Sequence, residues 1–214
     1  MKNTPKFIVF EGIDGAGKTT QIQRLFHYLS EKGESVFLTQ EPTDSESGKA
    51  LRRALSGKEK KTDWEFAAMF LSDRITHNSM KNGIRELLAS GHTVICDRYY
   101  YSSVAYQGAA TDFSWVLHAN IDCPEIVHPD VCIFLDLTPA ESMRRICQNR
   151  SEDCREIFEN EEILSRTREN FQRAFDEIQR FYPTEKIIKI DASRSPDEVE
   201  LTIRDALRQA GMIL

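Results

Sequence analysis

Residues Gly12 to Thr19 carry the pattern G-x-x-x-x-G-K-[ST], within the run Phe10-Glu11-Gly12-Ile13-Asp14-Gly15-Ala16-Gly17-Lys18-Thr19-Thr20. Glycines at this spacing let the backbone curl until several N–H groups face one phosphate chain, and a helix starting behind them adds partial positive charge. Lys18 then reaches the outer phosphates, and the Thr19 hydroxyl is placed to ligate Mg2+. The bland alternative is a chance glycine turn before a helix. Against it stand the apolar run Phe7-Ile8-Val9-Phe10 just before the loop and a helical pattern from near Lys18. Together they supply the strand, loop and helix that the motif requires.

Phosphoryl transfer needs positioning and charge neutralisation more than covalent help. Thr93-Val94-Ile95-Cys96-Asp97-Arg98-Tyr99 supplies groups for both. Asp97, at a strand end, can hold a metal-bound water, and the Arg98 guanidinium pairs with phosphate in a two-pronged way. The structural alternative makes Asp97 a helix cap and Arg98 half of a surface ion pair. Asp14 is an odd residue inside an anion-binding loop, which favours a function for it. A polar stretch, Gln148 to Glu156, carries Arg150 and Arg155 between two helical segments. It reads as a mobile lid or as a solvated turn.

The elements that must position these groups follow from short apolar runs at Phe7–Phe10, Ser35–Leu38, Thr93–Cys96, Val131–Leu135 and Lys186–Ile190. Segments with helical spacing separate them. One stripe is Leu164, Thr167, Phe171, Ala174, Phe175, Ile178 and Phe181; a second is Val199, Ile203, Ala206, Leu207 and Ala210. A third, Trp64, Ala67, Ala68, Leu71 and Ile75, predicts a helix that continues to Leu88. Gly33 and Gly91 fall where helices stop before strands. Strands alternating with helices predict an α/β fold: a parallel five-stranded sheet of the P-loop type, covered on both faces. Ligands in such folds sit at the carboxyl ends of the strands, so Glu11 and Asp97 are expected to face one cleft.

At 214 residues the chain reads as a single domain. Its net charge of −6 argues against a nucleic-acid partner. No apolar run is long enough to span a membrane, and strand-like sequence starting near Phe7 leaves no room for a signal peptide. The five cysteines, Cys96, Cys123, Cys132, Cys147 and Cys154, include no C-x-x-C pair. Cys96 and Cys132, inside apolar runs, read as buried reduced thiols of a cytoplasmic protein. The five histidines, His27, His77, His92, His118 and His128, are not spaced for zinc and read as surface or capping residues.

These motifs, in this order, resemble the thymidylate kinases over nearly the whole chain. The resemblance rests on the Phe10–Thr20 loop, Glu41-Pro42, Phe70 with Arg74, and Asp97-Arg98-Tyr99 leading to Ser102-Ser103 and Ala105-Tyr106-Gln107-Gly108. The arginine-bearing stretch and Arg166-Thr167-Arg168 complete it. It implies transfer of the γ-phosphoryl group of ATP to dTMP, with Mg2+, in a nucleoside monophosphate kinase fold. ATP would lie on Gly12, Ile13, Asp14, Gly15, Ala16, Gly17, Lys18, Thr19 and Thr20, with Thr19 and Asp97 as metal ligands. Phe70 would stack on thymine and Arg74 would bond a base carbonyl; without the resemblance, core packing for Phe70 and solvent for Arg74 would be the better reading. Gln107 and Ser103 are similar to further nucleotide contacts, and Tyr106 to the aromatic residue beside the deoxyribose, with core packing its alternative. Glu41, Pro42 and Asp14 would line the acceptor pocket, while Arg52 and Arg98 would grip its phosphate.

The loop position after Asp14 is Gly15, so the catalytic arginine is expected from the lid, as Arg155 or else Arg150. Lys18, Asp97, Arg98 and Arg155 are thus the expected catalytic set. Where many bacterial relatives follow Glu-Pro with two glycines, this chain has Thr43-Asp44. A homodimer is also implied. Two rivals remain at this point: a kinase of another pyrimidine nucleotide or nucleoside, and a nucleotide-dependent switch or motor. A GTP switch would be expected to carry Asn-Lys-x-Asp, which this chain lacks.

Overall fold

A computed structural model describes residues 4–149 and 161–213. Five strands, β1 (Phe7–Glu11), β2 (Val36–Gln40), β3 (Thr93–Asp97), β4 (Val131–Asp136) and β5 (Lys186–Asp191), form one sheet in the order β2-β3-β1-β4-β5. Every neighbouring pair is parallel, with Phe10 opposite Asp97 on one side of β1 and opposite Ile133 on the other. Parallel strands flanked by helices are dry on both faces, which is why β1, β3 and β4 are nearly continuous apolar sequence. All of β1 is buried, Glu11 included. The chain leaves β1 toward β2 and β3, then crosses to the other side for β4, so the carboxyl end of β1 lies at the switch point where such sheets bind ligands.

Helices α1 (Lys18–Glu31), α2 (Glu46–Leu55), α3 (Asp63–Ser79), α4 (Ile84–Ala89), α5 (Tyr100–Ala110), α6 (Phe113–Ile121), α7 (Pro139–Asn149), α8 (Glu161–Phe181) and α9 (Pro196–Gln209) surround the sheet. Two of them start in reciprocal capping boxes, Thr62 with Glu65 and Ser195 with Glu198, which satisfy otherwise orphaned amides. The α8 stripe is buried from Leu164 to Ile178, whereas Phe181 at its end is 49% exposed. In α9, Val199, Ile203 and Leu207 point inward. Gly33 and Gly91 take positive φ after their helices, as expected of C-terminal stops.

The third stripe departs from expectation twice. The helix ends at Ser79 and a separate α4 follows. Asn82 adopts a left-handed φ of 56°, and a β-carbon on Gly83 would lie 2.5 Å from the His77 carbonyl oxygen, so the chain turns there. The inward face of α3 is also largely polar: Asp73, Arg74, His77 and Asn78 are buried, while Trp64 is exposed. An apolar-stripe rule captures only part of the buried face: Ala67, Leu71 and Ile75 meet the core, and beside them the helix meets other polar groups. His77, expected at the surface, is buried because Glu41 and Thr39 satisfy its two ring nitrogens, at 3.0 and 2.6 Å. Cys96 and Cys132 are buried thiols, and burial pushes both well above the ordinary thiol range.

Candidate active site

The loop between β1 and α1 turns on glycines that no other residue replaces easily. Gly12 has φ 143°, and a β-carbon there would sit 2.6 Å from the Leu135 carbonyl oxygen of β4. Gly17, at φ 90°, is the N-cap of α1. A left-handed N-cap aims the first amides of α1 into the loop, where an anion would meet them. Ser142 of α7 donates to the Asp14 carbonyl at 2.5 Å and clasps the loop from outside. Lys18 is buried, and its Nζ donates to the Gly12 and Ile13 carbonyls at 2.9 and 3.3 Å. Burial lowers its pKa, Arg98 adds to that effect, and Asp14, Asp97 and Glu11 oppose it.

The end of β3 lies directly across from this loop. Thr19 Oγ1 donates to Asp97 Oδ2 at 3.2 Å, while Asp97 Oδ1 is a buried acceptor that no described residue reaches. An anionic oxygen hidden without a donor is costly, and the pair suits a hard cation that prefers oxygen ligands. Next in the chain, Arg98 adopts φ 65°, a conformation that costs a non-glycine residue about 1–3 kcal/mol. Glu11 holds it there. Its carboxylate accepts from the Tyr99 amide at 2.8 Å, the Ser102 amide at 3.1 Å and the Ser102 hydroxyl at 2.6 Å, fixing the first turn of α5. Burial raises the Glu11 pKa to about 7 despite these bonds and the nearby Arg98 and Lys18. The Arg98 guanidinium pairs with Asp14 and lies over the Tyr106 ring at 5.5 Å. Burial works against its charge, but Asp14, Tyr106, Asp97 and Glu11 outweigh that and raise its pKa.

On the far side of Arg98 the residues expected to receive the acceptor lie on α2, α3, α5 and the loop after β2. Arg74 is 1% exposed. Its Nε and Nη2 donate to Glu41 Oε2 at 2.8 and 2.5 Å, Nη2 reaches Ser103 at 3.1 Å, and Nη1 donates to Asn120 of α6. It is therefore a buried charge with four of its five N–H donors bonded, an arrangement that makes burial tolerable. The Glu41 carboxylate is taken up by Arg74 and His77. Arg52 donates to the Pro42 and Thr43 carbonyls at 2.5 and 2.7 Å and meets Asp44 at 3.1 Å. Phe70, one turn before Arg74, is partly exposed, as is Tyr106; Ser103 and Gln107 are buried on α5.

Arg150 and Arg155 lie outside the described residues. Just after them in the chain, Arg168 of α8 makes a two-pronged pair with Asp136 at the end of β4, at 2.6 and 2.9 Å. Sequence reasoning missed Asp73, His77, Asn120 and the brace made by Glu11. An Asp-Arg pair in the middle of a helix, with His and Asn a turn later, was an available signal that one face of α3 is polar.

A family model for thymidylate kinase matches residues 10–203, which takes in the loop, β3 and α5. The chain is 47% identical to a probable thymidylate kinase of Pyrococcus horikoshii over 146 residues, 65% of this chain and 69% of the relative. A probable thymidylate kinase of Methanosphaera stadtmanae is 37% identical, with 94% and 96% covered. The thymidylate kinase of Desulfotalea psychrophila is 36% identical, with 100% and 98% covered. With one matched stretch running from β1 into α9, the chain belongs to the thymidylate kinase family.

Proposed function

We propose that this chain transfers the γ-phosphoryl group of ATP to dTMP, giving dTDP and ADP, and that 1–214 work as one kinase domain with a lid near 148–158. The family match over residues 10–203 carries the reading, because it falls on a cleft where Lys18, Asp97 and Arg98 converge. The loop amides and Lys18 hold the donor phosphates. Thr19 and Asp97 would hold Mg2+, which supplies charge neutralisation on those phosphates when bound. The buried, donor-less Asp97 Oδ1 supports that assignment.

Arg52 and Arg98 grip the acceptor phosphate, and Phe70, Arg74, Ser103, Tyr106 and Gln107 receive the nucleoside. Two polyanions repel one another on approach, so cations from separate elements must converge on them. Arg98 stands between the two sides, tied to Asp14 of the donor loop. Arg155 of the lid adds its charge on closure, which limits hydrolysis of ATP by water. No general base is needed, since the acceptor is a phosphate oxygen already ionised near neutral pH.

A homodimer in the cytoplasm completes the reading. The exposed Trp64 and Trp115, edge to face at 5.3 Å, support a self-contact through α3 and α6. Among the described residues no helix is long and apolar enough to cross a membrane. The test is a panel of nucleoside monophosphates with ATP and Mg2+, read by ADP release. Turnover fastest with dTMP is expected. Turnover confined to another acceptor, or ATP hydrolysis indifferent to any acceptor, would overturn it.

A further inference from the structure

Asp73 sits beside Arg74 on α3, yet its side chain faces a different partner. Its Oδ2 accepts from the Thr43 amide at 2.8 Å. Its Oδ1 accepts from the hydroxyls of Thr43 at 2.7 Å, Ser47 at 2.7 Å and Ser45 at 3.1 Å. The residue is 1% exposed, and among the described residues no cationic side chain pairs with it. Burial works against its charge, and the bonds from Thr43, Ser47 and Ser45 outweigh it, so the carboxyl is held below its ordinary pKa. The whole charge of Asp73 is therefore directed at the segment after Pro42.

That segment carries Arg52 in two ways. The Pro42 and Thr43 carbonyls are what the Arg52 guanidinium hangs on, at 2.5 and 2.7 Å. Ser45, one of the hydroxyls on Asp73, is also the N-cap of α2, accepting from the Gly48 amide at 3.3 Å. Arg52 lies in the last turn of that helix. Gly48 packs so closely that a β-carbon would come within 2.0 Å of the Thr43 carbonyl oxygen, so loop and helix shift together or not at all.

We infer that Asp73 is a positioning residue for the acceptor phosphate: by pinning Thr43, Ser45 and Ser47 it sets where α2 presents Arg52. This rests on the proposed role of Arg52 in gripping dTMP. An ionised acceptor with several donors is stronger than its neutral replacements, and an amide cannot accept at both oxygens. In Asp73→Asn one face of the side chain must set N–H against either the Thr43 amide or the hydroxyl cluster.

The test measures steady-state kinetics with dTMP and ATP for wild type, Asp73→Asn, Arg52→Ala and the double variant, with thermal melts to confirm folding. Asp73→Asn is expected to raise KM for dTMP by roughly tenfold, with KM for ATP and kcat within about twofold. In the Arg52→Ala background the same change is expected to add almost nothing, because its effect passes through Arg52. A defect in general packing would multiply instead, and that result overturns the inference. Ser47→Ala, at a half-buried position, is the milder variant should Asp73→Asn fold poorly, with roughly a two- to threefold rise in KM for dTMP expected; an unchanged KM there also overturns the inference. Arg52→Ala with unaltered KM for dTMP would remove the phosphate grip, and this inference with it, while the kinase reading stands.

Discussion

Glu11 offers a sharp thermodynamic prediction, because the brace it makes under Arg98 is a carboxyl buried at the head of a sheet. Its pKa stands at about 7, against an ordinary 4.5, chiefly through burial. Unfolded chain releases this proton near pH 4.5, and folded chain keeps it until about pH 7. Folding thus takes up a proton between those values, and stability falls as pH rises through the window. A rise of that size corresponds to roughly 3 kcal/mol lost by pH 8.

Glu11→Gln removes the titration and keeps the bonds. Its amide oxygen can accept from the Tyr99 and Ser102 amides, and its NH2 can donate to the Ser102 hydroxyl. The variant is expected to match wild type near pH 5 and to exceed it by up to roughly 3 kcal/mol at pH 8. Urea unfolding of both proteins across that range reads the gap directly. Glu185, which burial raises to about 8, titrates in both proteins and cancels from the difference. A gap that stays constant with pH, or a variant that loses ground as pH rises, would show that Glu11 does not keep its proton on folding.

Phe70→Ala should weaken dTMP binding by about 1–3 kcal/mol, the worth of one base stacked on one ring, with ATP affinity nearly intact. Calorimetry with each nucleotide measures it, and loss of ATP affinity instead would reassign Phe70. Arg155→Ala should lower kcat by roughly a hundredfold or more with little change in dTMP affinity, and Arg150→Ala much less. Rapid-mixing turnover of both variants decides between the two lid arginines; a reversed pattern selects Arg150, and normal turnover in both removes the lid from catalysis.

The loop between β1 and α1 was legible in the chain because its parts are consecutive: glycines, Lys18 and Thr19 lie in one turn, between a strand and a helix that sequence alone marks. The five strands were readable too, as short β-branched runs, with ends shifted by one or two residues. That Asp97 and Arg98 lie across from the loop was legible because a buried parallel strand ends at the carboxyl edge of the sheet. What failed was α3. Of its stripe, Trp64, Ala67, Ala68, Leu71 and Ile75, the structure buries Ala67 and packs Leu71 and Ile75 against the core but exposes Trp64 and Ala68, and it turns Asp73, Arg74, His77 and Asn78 inward as well. Those polar groups are satisfied by Glu41, Thr43, Tyr99, Ser103, Asn120 and Val127, partners distant in the chain. Local periodicity holds no information about such pairings. The strained Arg98 backbone was hidden for the same reason, since the Glu11 carboxylate that stabilises it comes from another strand.

The proposed activity needs a cleft in which the acceptor phosphate meets Arg52 and Arg98 while its base lies along Phe70 and Gln107, facing a donor held by the Gly12–Thr19 loop. A crystal structure with dTMP and ADP measures this most directly. The proposed cleft puts the dTMP phosphate on both guanidinium groups, the thymine ring against Phe70, and the ADP phosphates on the loop amides. A nucleotide bound elsewhere, with Phe70 and both arginines turned from it, would contradict it.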